Sequence, residues 1–423
     1  MNFDFDPEQR LVAETARAFA ERELAPAAAA RDRTHAFPEA EMRRLGALGL
    51  LGVTVPAALG GSDAGPIALA LAVREIARAD ASVAVTMSVT NMVAEIVARC
   101  ATDEAKRAHL PRLCSGDAVA GAFALSEAQA GSDPRAMTTT VEREPGGYVI
   151  RGNKLWTTSG DRAGVLIVAA RHGASMNAPG YSAFVLATPT PGLTPGKREQ
   201  KMGQHGSSTM AMSFDDVAVP ASALLSYPGT LRGFPGPPAT DSARAEPELR
   251  PRAGEGDGLR VALAGLGSGR IGIAALSIGI AQAALAVALA HVRDRRQFGV
   301  PLGDQQAIRF HLADAATGLE AAWLLTMHAA WLKQQGQPFV RQACQAKLLA
   351  SERANDVCDR AVQMLGGYGY TREFPVERHF RDVRVTTLYE GTSQIQRLVI
   401  ARELLREANS ATPTAPGRAP API

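Results

Sequence analysis

Cysteine is scarce in this chain. Its four cysteines, Cys100, Cys114, Cys344 and Cys358, form no CxxC pair and have no histidine at metal-ligand spacing. A disulfide framework and a structural zinc site are thereby excluded, and the thiols read as reduced packing residues, with no metal expected. An excess of one charge is also missing: 45 basic residues face 42 acidic ones, for a formal net charge of +3. That balance announces no polyanionic partner, so nucleic acid is not implied. The start of the chain, Met1-Asn2-Phe3-Asp4-Phe5-Asp6, is acidic and lacks the basic and apolar regions of a signal or transit peptide, and a cytoplasmic location is expected. Strongly apolar runs are lacking as well. The stretch Ile271 to Val292 is long enough to span a bilayer and carries no Asp, Glu, Lys or Arg, but alanine dominates it and Ser277, Gln282 and His291 interrupt it. Its drive into lipid is weak, so it reads as a helix buried in a soluble bundle, and no membrane partner is expected.

What the chain does have is ordinary globular composition, 46% hydrophobic and 21% charged, over 423 residues. That length exceeds one compact core and calls for two or three domains. Helical periodicity fills the first part, from Pro7 through Glu23, Glu39 to Leu48, Ala68 to Ala79 and Val83 to Arg99. From about Ala120 short apolar runs separated by Gly, Pro and Asn take over, including Tyr148-Val149-Ile150, Val165 to Ala170 and Tyr181 to Ala187. Gly152-Asn153, between Tyr148-Val149-Ile150 and Leu155-Trp156, predicts a two-residue hairpin. A Pro/Gly/Arg/Ala-rich stretch from Ser226 to Ala253 has no apolar periodicity and predicts a disordered linker. Long helical patterns resume to Arg406, and the tail from Glu407 to Ile423 has nothing to pack. The resulting division is a helical domain (1–119), a β domain (120–225), a linker (226–257), a helical bundle (258–406) and a disordered tail (407–423).

Within the bundle, Tyr389-Glu390-Gly391-Thr392-Ser393-Gln394-Ile395-Gln396-Arg397 sets one carboxylate among neutral neighbours before a helix. Thr392 or Ser393 can cap that helix, whose apolar residues Ile395, Leu398 and Val399 follow at helical spacing. Glu390 then lies in the entering turn, and Gly391, without a side chain, lets a substrate approach closely. A carboxylate desolvated there would have a raised pKa and accept a proton from a carbon acid. The bland reading is a surface glutamate that happens to precede a helix. Gly267-Ser268-Gly269-Arg270-Ile271-Gly272 also satisfies GxGxxG after the apolar run Val261 to Ala264. A dinucleotide turn would need a second strand ending in an acidic residue about twenty positions on, whereas an alanine-rich helix continues instead.

Several ordered motifs together resemble one family. They are Ala124-Leu125-Ser126-Glu127 with Gly131-Ser132-Asp133, Gly152-Asn153-Lys154-Leu155-Trp156-Thr157-Thr158, Lys201-Met202-Gly203 with Gly206-Ser207-Ser208-Thr209, Arg293 to Gly299, and Leu365-Gly366-Gly367-Tyr368-Gly369-Tyr370 ahead of the Glu390 motif. From about residue 5 to residue 406 the chain resembles the acyl-CoA dehydrogenases. The resemblance implies an α+β fold: an N-terminal α domain, a central β domain and a C-terminal four-helix bundle, usually as a homotetramer built as a dimer of dimers with one FAD per subunit. It implies that Leu125, Ser126, Trp156 and Thr158 meet the flavin ring. Arg295, Gln297, Phe298, Gln363 and Gly367 would hold the cofactor's pyrophosphate and adenosine across a subunit interface, and Phe123, Gln306, Thr392 and Gln394 would add further FAD contacts. Ser132, Arg270 and Gly391 would contact the acyl-CoA. Taken alone, Trp156 would pass for a core aromatic, Arg295 for a solvated helix end and Ser132 for a turn residue.

The implied chemistry makes Glu390 the base for the α-proton of an acyl thioester while the β-hydrogen departs as hydride to the flavin. Some relatives carry the base early in the first bundle helix; this chain has Gly269 there, which leaves Glu390 unopposed. Pro189-Thr190-Pro191-Gly192-Leu193 and Phe339 to Leu348 resemble most the short-chain, butyryl-type branch, with an electron-transfer flavoprotein as the implied electron acceptor. Two departures stand out: Ala128-Gln129 replaces a usual Pro-Gly, and Gly267 stands where many members have an Asp touching the CoA. They leave open a carrier-protein thioester or a non-CoA substrate. An oxidase of the same fold generally uses an Asp base, and a DNA-binding flavoprotein would need a basic extension that is not evident here.

Overall fold

The computed structural model describes residues 4–176, 180–228 and 252–411. Its first helix, α1 (Pro7–Phe19), begins where its first turn can satisfy itself. The Asp6 carboxylate accepts from the Gln9 N–H at 2.8 Å, the Gln9 side chain accepts from the Asp6 N–H at 3.2 Å, and Pro7 takes the first helical position. One π-helical turn leads into α2 (Ala25–Thr34), and α3 (Glu39–Ala47), α4 (Gly65–Ala79), α5 (Ala81–Cys100) and α6 (Asp103–Ser115) complete the N-terminal helices. Asp80 caps α5, accepting from the Ser82 and Val83 N–H groups at 2.8 and 3.1 Å. Helical periodicity does not predict α6, because its buried face is only Ala105, Leu110, Leu113 and Cys114 and Pro111 interrupts it. All four cysteines are free and buried.

Strands β1 (Gly121–Ala124), β2 (Thr140–Glu144), β3 (Gly147–Thr158), β4 (Val165–His172), β5 (Tyr181–Ala187), β6 (Leu193–Arg198), β7 (Thr209–Pro220) and β8 (Leu224–Leu225) form one mixed sheet. Its order is β6-β7-β3-β2-β4-β5-β8, with β1 alongside β4 in parallel. The hairpin expected at Gly152-Asn153 is not there. β3 runs through it, and Gly152, at φ +139°, marks a register shift against β7 where a Cβ would lie 2.6 Å from the Thr139 Cα. Glycine serves there for close approach rather than for reversal. The reversal falls instead at Pro145-Gly146, which joins β2 to β3 with Glu144 opposite Gly147.

The C-terminal part is a helical bundle of α7 (Gly258–Asp294), α8 (Gln306–Gln334), α9 (Val340–Leu365) and α11 (Ser393–Ala411), with the short α10 (Val376–Val383) between the last two. A two-stranded hairpin, β9 (Arg296–Gln297) and β10 (Val300–Pro301), separates α7 from α8. α7 is the spine of the molecule, packing on α9, α8, α4 and α5. α5 and α7 are long and apolar enough to cross a membrane, but most of each is packed inside the protein. Gly267 to Gly272 lie in mid-helix, so no dinucleotide turn exists there.

Two expectations of disorder need correction. The ends of the 226–257 segment are ordered. The Ser226 N–H donates to the Cys100 carbonyl at 2.9 Å and the Tyr227 N–H to Asp257 at 3.0 Å, while Glu255 accepts from the Tyr148 hydroxyl at 2.8 Å and pairs with Arg143. Partners on α5 and on the β domain fix these ends, which their composition alone does not reveal. The interior, 229–251, lies outside the described residues. The expected tail likewise begins as helix, since α11 continues to Ala411 and Glu407 pairs with Arg341 at 3.1 Å. Residues 412–423 lie outside the described residues.

Candidate active site

Glu390 sits in the turn between α10 and α11, and the turn is built from two successive left-handed residues, Glu390 at φ +54° and Gly391 at φ +85°. Glycine accepts that conformation freely, whereas for glutamate it costs about 1–3 kcal/mol, which the surroundings must supply. They do so through the carbonyls. Gln396 Nε2 donates to the Glu390 oxygen at 3.1 Å and to the Gly391 oxygen at 2.8 Å, and Lys347 Nζ, reaching from α9, donates to the Gly391 oxygen at 2.8 Å. Thr392 caps α11, its hydroxyl accepting from the Ile395 N–H at 3.3 Å. Gln204, in the loop between β6 and β7, donates to the Tyr389 hydroxyl at 3.3 Å and so ties the β domain to the same turn.

The carboxylate of Glu390 rests on α7. A Cβ at Gly269 would lie 2.7 Å from its Oε2 and 2.9 Å from its Oε1. Oε2 is sealed from solvent and has no hydrogen-bond partner among the described residues. Burial pushes the Glu390 carboxyl up to about 7, against the opposing pull of Arg270 and Lys347. Arg270, on α7, is itself buried, and its Nε also lacks a partner. No described residue accepts from the Glu390 N–H, which leaves a free donor beside the free acceptor. A partnerless carboxylate that titrates near neutrality is a proton acceptor in waiting.

On the β domain, Leu125 and Ser126 follow β1 and Trp156 and Thr158 end β3, and the Leu155 N–H bonds the Ser126 carbonyl at 2.8 Å. A wholly buried ion pair holds this loop: Lys154 Nζ donates to Glu127 at 2.8 Å and to the Leu125 carbonyl at 3.0 Å. Gln129, one of the two departures in this loop, donates to the same Glu127 carboxylate at 2.7 Å. Trp156 is held at φ +60° with 59% of its surface exposed, so it is not a core aromatic. An exposed aromatic face of this kind can stack on a planar ring, while Leu125 is buried in a small cluster with Ala130, Met137 and Ala262. Phe123 is half-buried on β1 against the main core, and Ser132 is exposed in the loop ahead of β2.

The remaining candidates form a second group. Gln297 and Phe298 lie on the β9–β10 hairpin that Arg295 introduces; the Arg295 guanidinium stands 5.7 Å over the Tyr368 ring, in the turn that carries Gly367 after the last turn of α9 with Gln363. Gln306 opens α8 nearby, and Phe298 is 95% exposed. Arg270 lies within α7 and Arg295 just past its C-terminal end, 25 residues on, which is roughly 37 Å along the helix. One chain therefore does not bring the two groups together. Thr392 lies with Glu390, while Gln394 points out of the first turn of α11.

Family models for the acyl-CoA dehydrogenase N-terminal, middle and C-terminal domains match residues 6–117, 122–217 and 256–405. The chain belongs to the acyl-CoA dehydrogenase family. The human mitochondrial short-chain specific acyl-CoA dehydrogenase is 42% identical over 402 residues, which cover 95% of this chain and 91% of that one. Butyryl-CoA dehydrogenase from Megasphaera elsdenii superposes with a TM-score of 0.86 at 38% identity, over 96% of this chain and all of the other. A chain in the solved structure of the electron transferring flavoprotein of Acidaminococcus fermentans superposes at 0.87, with 36% identity and coverage of 96% and 100%.

The sequence names Glu390, Gly391 and Arg270 as candidates but gives no role to four residues that hold the Glu390 turn or the loop after β1: Lys347, Gln396, Lys154 and Glu127. Lys347 left one trace, a lysine at the buried register of α9 among Ala343, Ala346, Ala350 and Ala354. The other three stand inside the quoted motifs, but nothing local marks what they bond to.

Proposed function

We propose that this protein dehydrogenates short-chain acyl-CoA thioesters to trans-2-enoyl-CoA with FAD as cofactor and Glu390 as the base. The observation that carries the reading is the half-buried Glu390, whose carboxylate lies on Gly269 with Oε2 sealed and without a partner among the described residues, and which burial raises to about 7. The α-hydrogen of a thioester is a weak acid, and its removal needs both a desolvated base and stabilisation of the charge that grows on the carbonyl oxygen. Glu390 provides the first at its carboxylate and contributes to the second through its unclaimed N–H. Bound FAD supplies the acceptor for the β-hydrogen. Leu125, Ser126, Trp156 and Thr158 are the residues of this chain that would hold the ring, and Ser132, Arg270 and Gly391 those that would meet the acyl-CoA.

The packing of α5 on α7 supports a short chain. Gly265 is pressed against Ile96 and Gly272 against Ser88, so the two helices touch on either side of Gly269, over seven residues or about 10 Å of helix. We take the stretch between, beside Glu390, as the room for an acyl chain. The separation of the two groups of cofactor residues, with Phe298 bare at the tip of its hairpin, supports completion of each site by another copy of the chain in a homotetramer. An electron-transfer flavoprotein is the proposed acceptor of the electrons.

Anaerobic titration of the purified flavoprotein with a series of thioesters tests the substrate. Butyryl-CoA and hexanoyl-CoA should bleach the flavin fastest, because each methylene excluded is worth about 1–3 kcal/mol. A maximum at lauroyl-CoA or at isovaleryl-CoA, or no bleaching by any CoA thioester, would reject it.

A further inference from the structure

Lys347 is fully buried, yet no carboxylate lies within ion-pair distance of it among the described residues. Its hydrogen bond is to a neutral group, the Gly391 carbonyl at 2.8 Å. A buried lysine in that state is costly unless its charge is used, since desolvation favours the neutral amine. Burial does lower it, to about 8, and the strongest opposing influence is Glu390. The charged and titratable groups around this point are few. Arg270 comes from α7, Cys344 and Glu352 from α9 beside Lys347 itself, Arg402 and Glu403 from α11, and Tyr389 precedes the base in its own turn. α5 presents the hydroxyl of Ser88 to α7 near this point. Arg397, also on α11, already engages Glu352 at 2.8 Å.

We propose that Lys347 is a positioning residue for the base, holding the left-handed Glu390–Gly391 turn by the Gly391 carbonyl and supplying the buried positive charge that keeps the Glu390 carboxylate ionised when substrate covers it. The inference rests on Glu390 being the base. The two roles divide between neighbours: Gln396 grips both carbonyls of the turn without charge, and Lys347 grips one of them with charge. Arg270 is the second cation, but it is fixed in mid-helix on α7, whereas Lys347 is bonded to the turn that carries the base.

The test isolates proton abstraction from everything that follows. (Methylthio)acetyl-CoA has α-hydrogens and no β-hydrogen, so solvent-deuterium exchange at its α-carbon, followed by NMR against pH, reads the base alone. In Lys347→Met, with FAD still bound, the ascending limb of exchange should move up by about one pH unit, with the rate at pH 7 down roughly fivefold and at pH 6 roughly tenfold. Lys347→Arg should restore the limb. Lys347→Gln, which keeps a donor in place, should shift the limb like Met and carries the test if Lys347→Met does not fold. A purely structural lysine would lower the rate at every pH and leave the limb unmoved, and that result would overturn the proposal. Glu390→Gln is the control. If that variant still exchanges at the wild-type rate, the assignment of the base fails. If it is silent while the Lys347→Gln limb coincides with wild type, only the role of Lys347 fails.

Discussion

At the scale of the residue, the site depends on a missing side chain. Gly269 lies in the interior of α7, where alanine is favoured by roughly 0.5–1 kcal/mol, and its place is explained by the Glu390 carboxylate lying where a Cβ would be. The far end of a glutamate side chain moves easily, so Gly269→Ala should displace the carboxylate without straining the backbone. The melting temperature should stay level or rise, while anaerobic flavin reduction falls on the order of a hundredfold, the cost of misplacing a catalytic group by about 1 Å. A variant reduced as fast as wild type would show that the carboxylate does not react from that position. Glu390 itself was legible as a lone carboxylate among neutral residues before a cappable helix. Its left-handed backbone and the donors that hold it were not, because Lys347 and Gln396 are identified by where they reach, and Lys347 is 43 residues away in sequence.

At the scale of the element, helix and strand follow local pattern where one face decides, and depart from it where a distant partner does. Tyr181–Ala187 is an apolar run that becomes β5 at those bounds. Gly152 carries the same local signal as a hairpin turn, but the approach of Thr139 makes it a point of contact inside a continuous strand. The buried Lys154 of β3 reaches back to Glu127 and the Leu125 carbonyl, and so shapes the loop after β1 that is proposed to face the flavin. Burial pushes Glu127 up, and hydrogen bonds from Lys154, Thr138 and Thr139 more than offset it, holding the carboxyl at about 2. The folded value is depressed, so this stabilisation is present above the usual carboxylate range and is lost as pH falls toward 2. Lys154→Met leaves the buried Glu127 without its counter-charge, though still bonded by Gln129, Thr138 and Thr139, at a cost of up to about 3–5 kcal/mol. A drop in melting temperature of many degrees together with loss of bound FAD is expected; a variant that melts and binds FAD like wild type would show that the pair does not hold the loop.

At the scale of the whole molecule, one long helix links the regions that matter. α7 passes Glu390 at Gly269, contacts the loop after β1 through Ala262, and ends at the β9–β10 hairpin roughly 37 Å from Arg270. The order of helical, β and helical domains was legible from periodicity, and the family motifs from their sequence. What periodicity could not give is the separation of Arg295, Gln297 and Phe298 from Arg270, which follows from the length of α7 and is the reason a second copy is proposed to complete each site. The account converges on one reaction begun by one carboxylate. Stopped-flow reduction of the flavin by butyryl-CoA without oxygen, in wild type and Glu390→Gln across pH, addresses it most directly. Wild-type kcat/KM for reduction should rise with pH through about 7, the value to which burial brings Glu390, and Glu390→Gln should retain FAD while reduction falls by several orders of magnitude with that limb gone. Reduction of the variant within tenfold of wild type, or an unchanged limb near 7, would contradict the account.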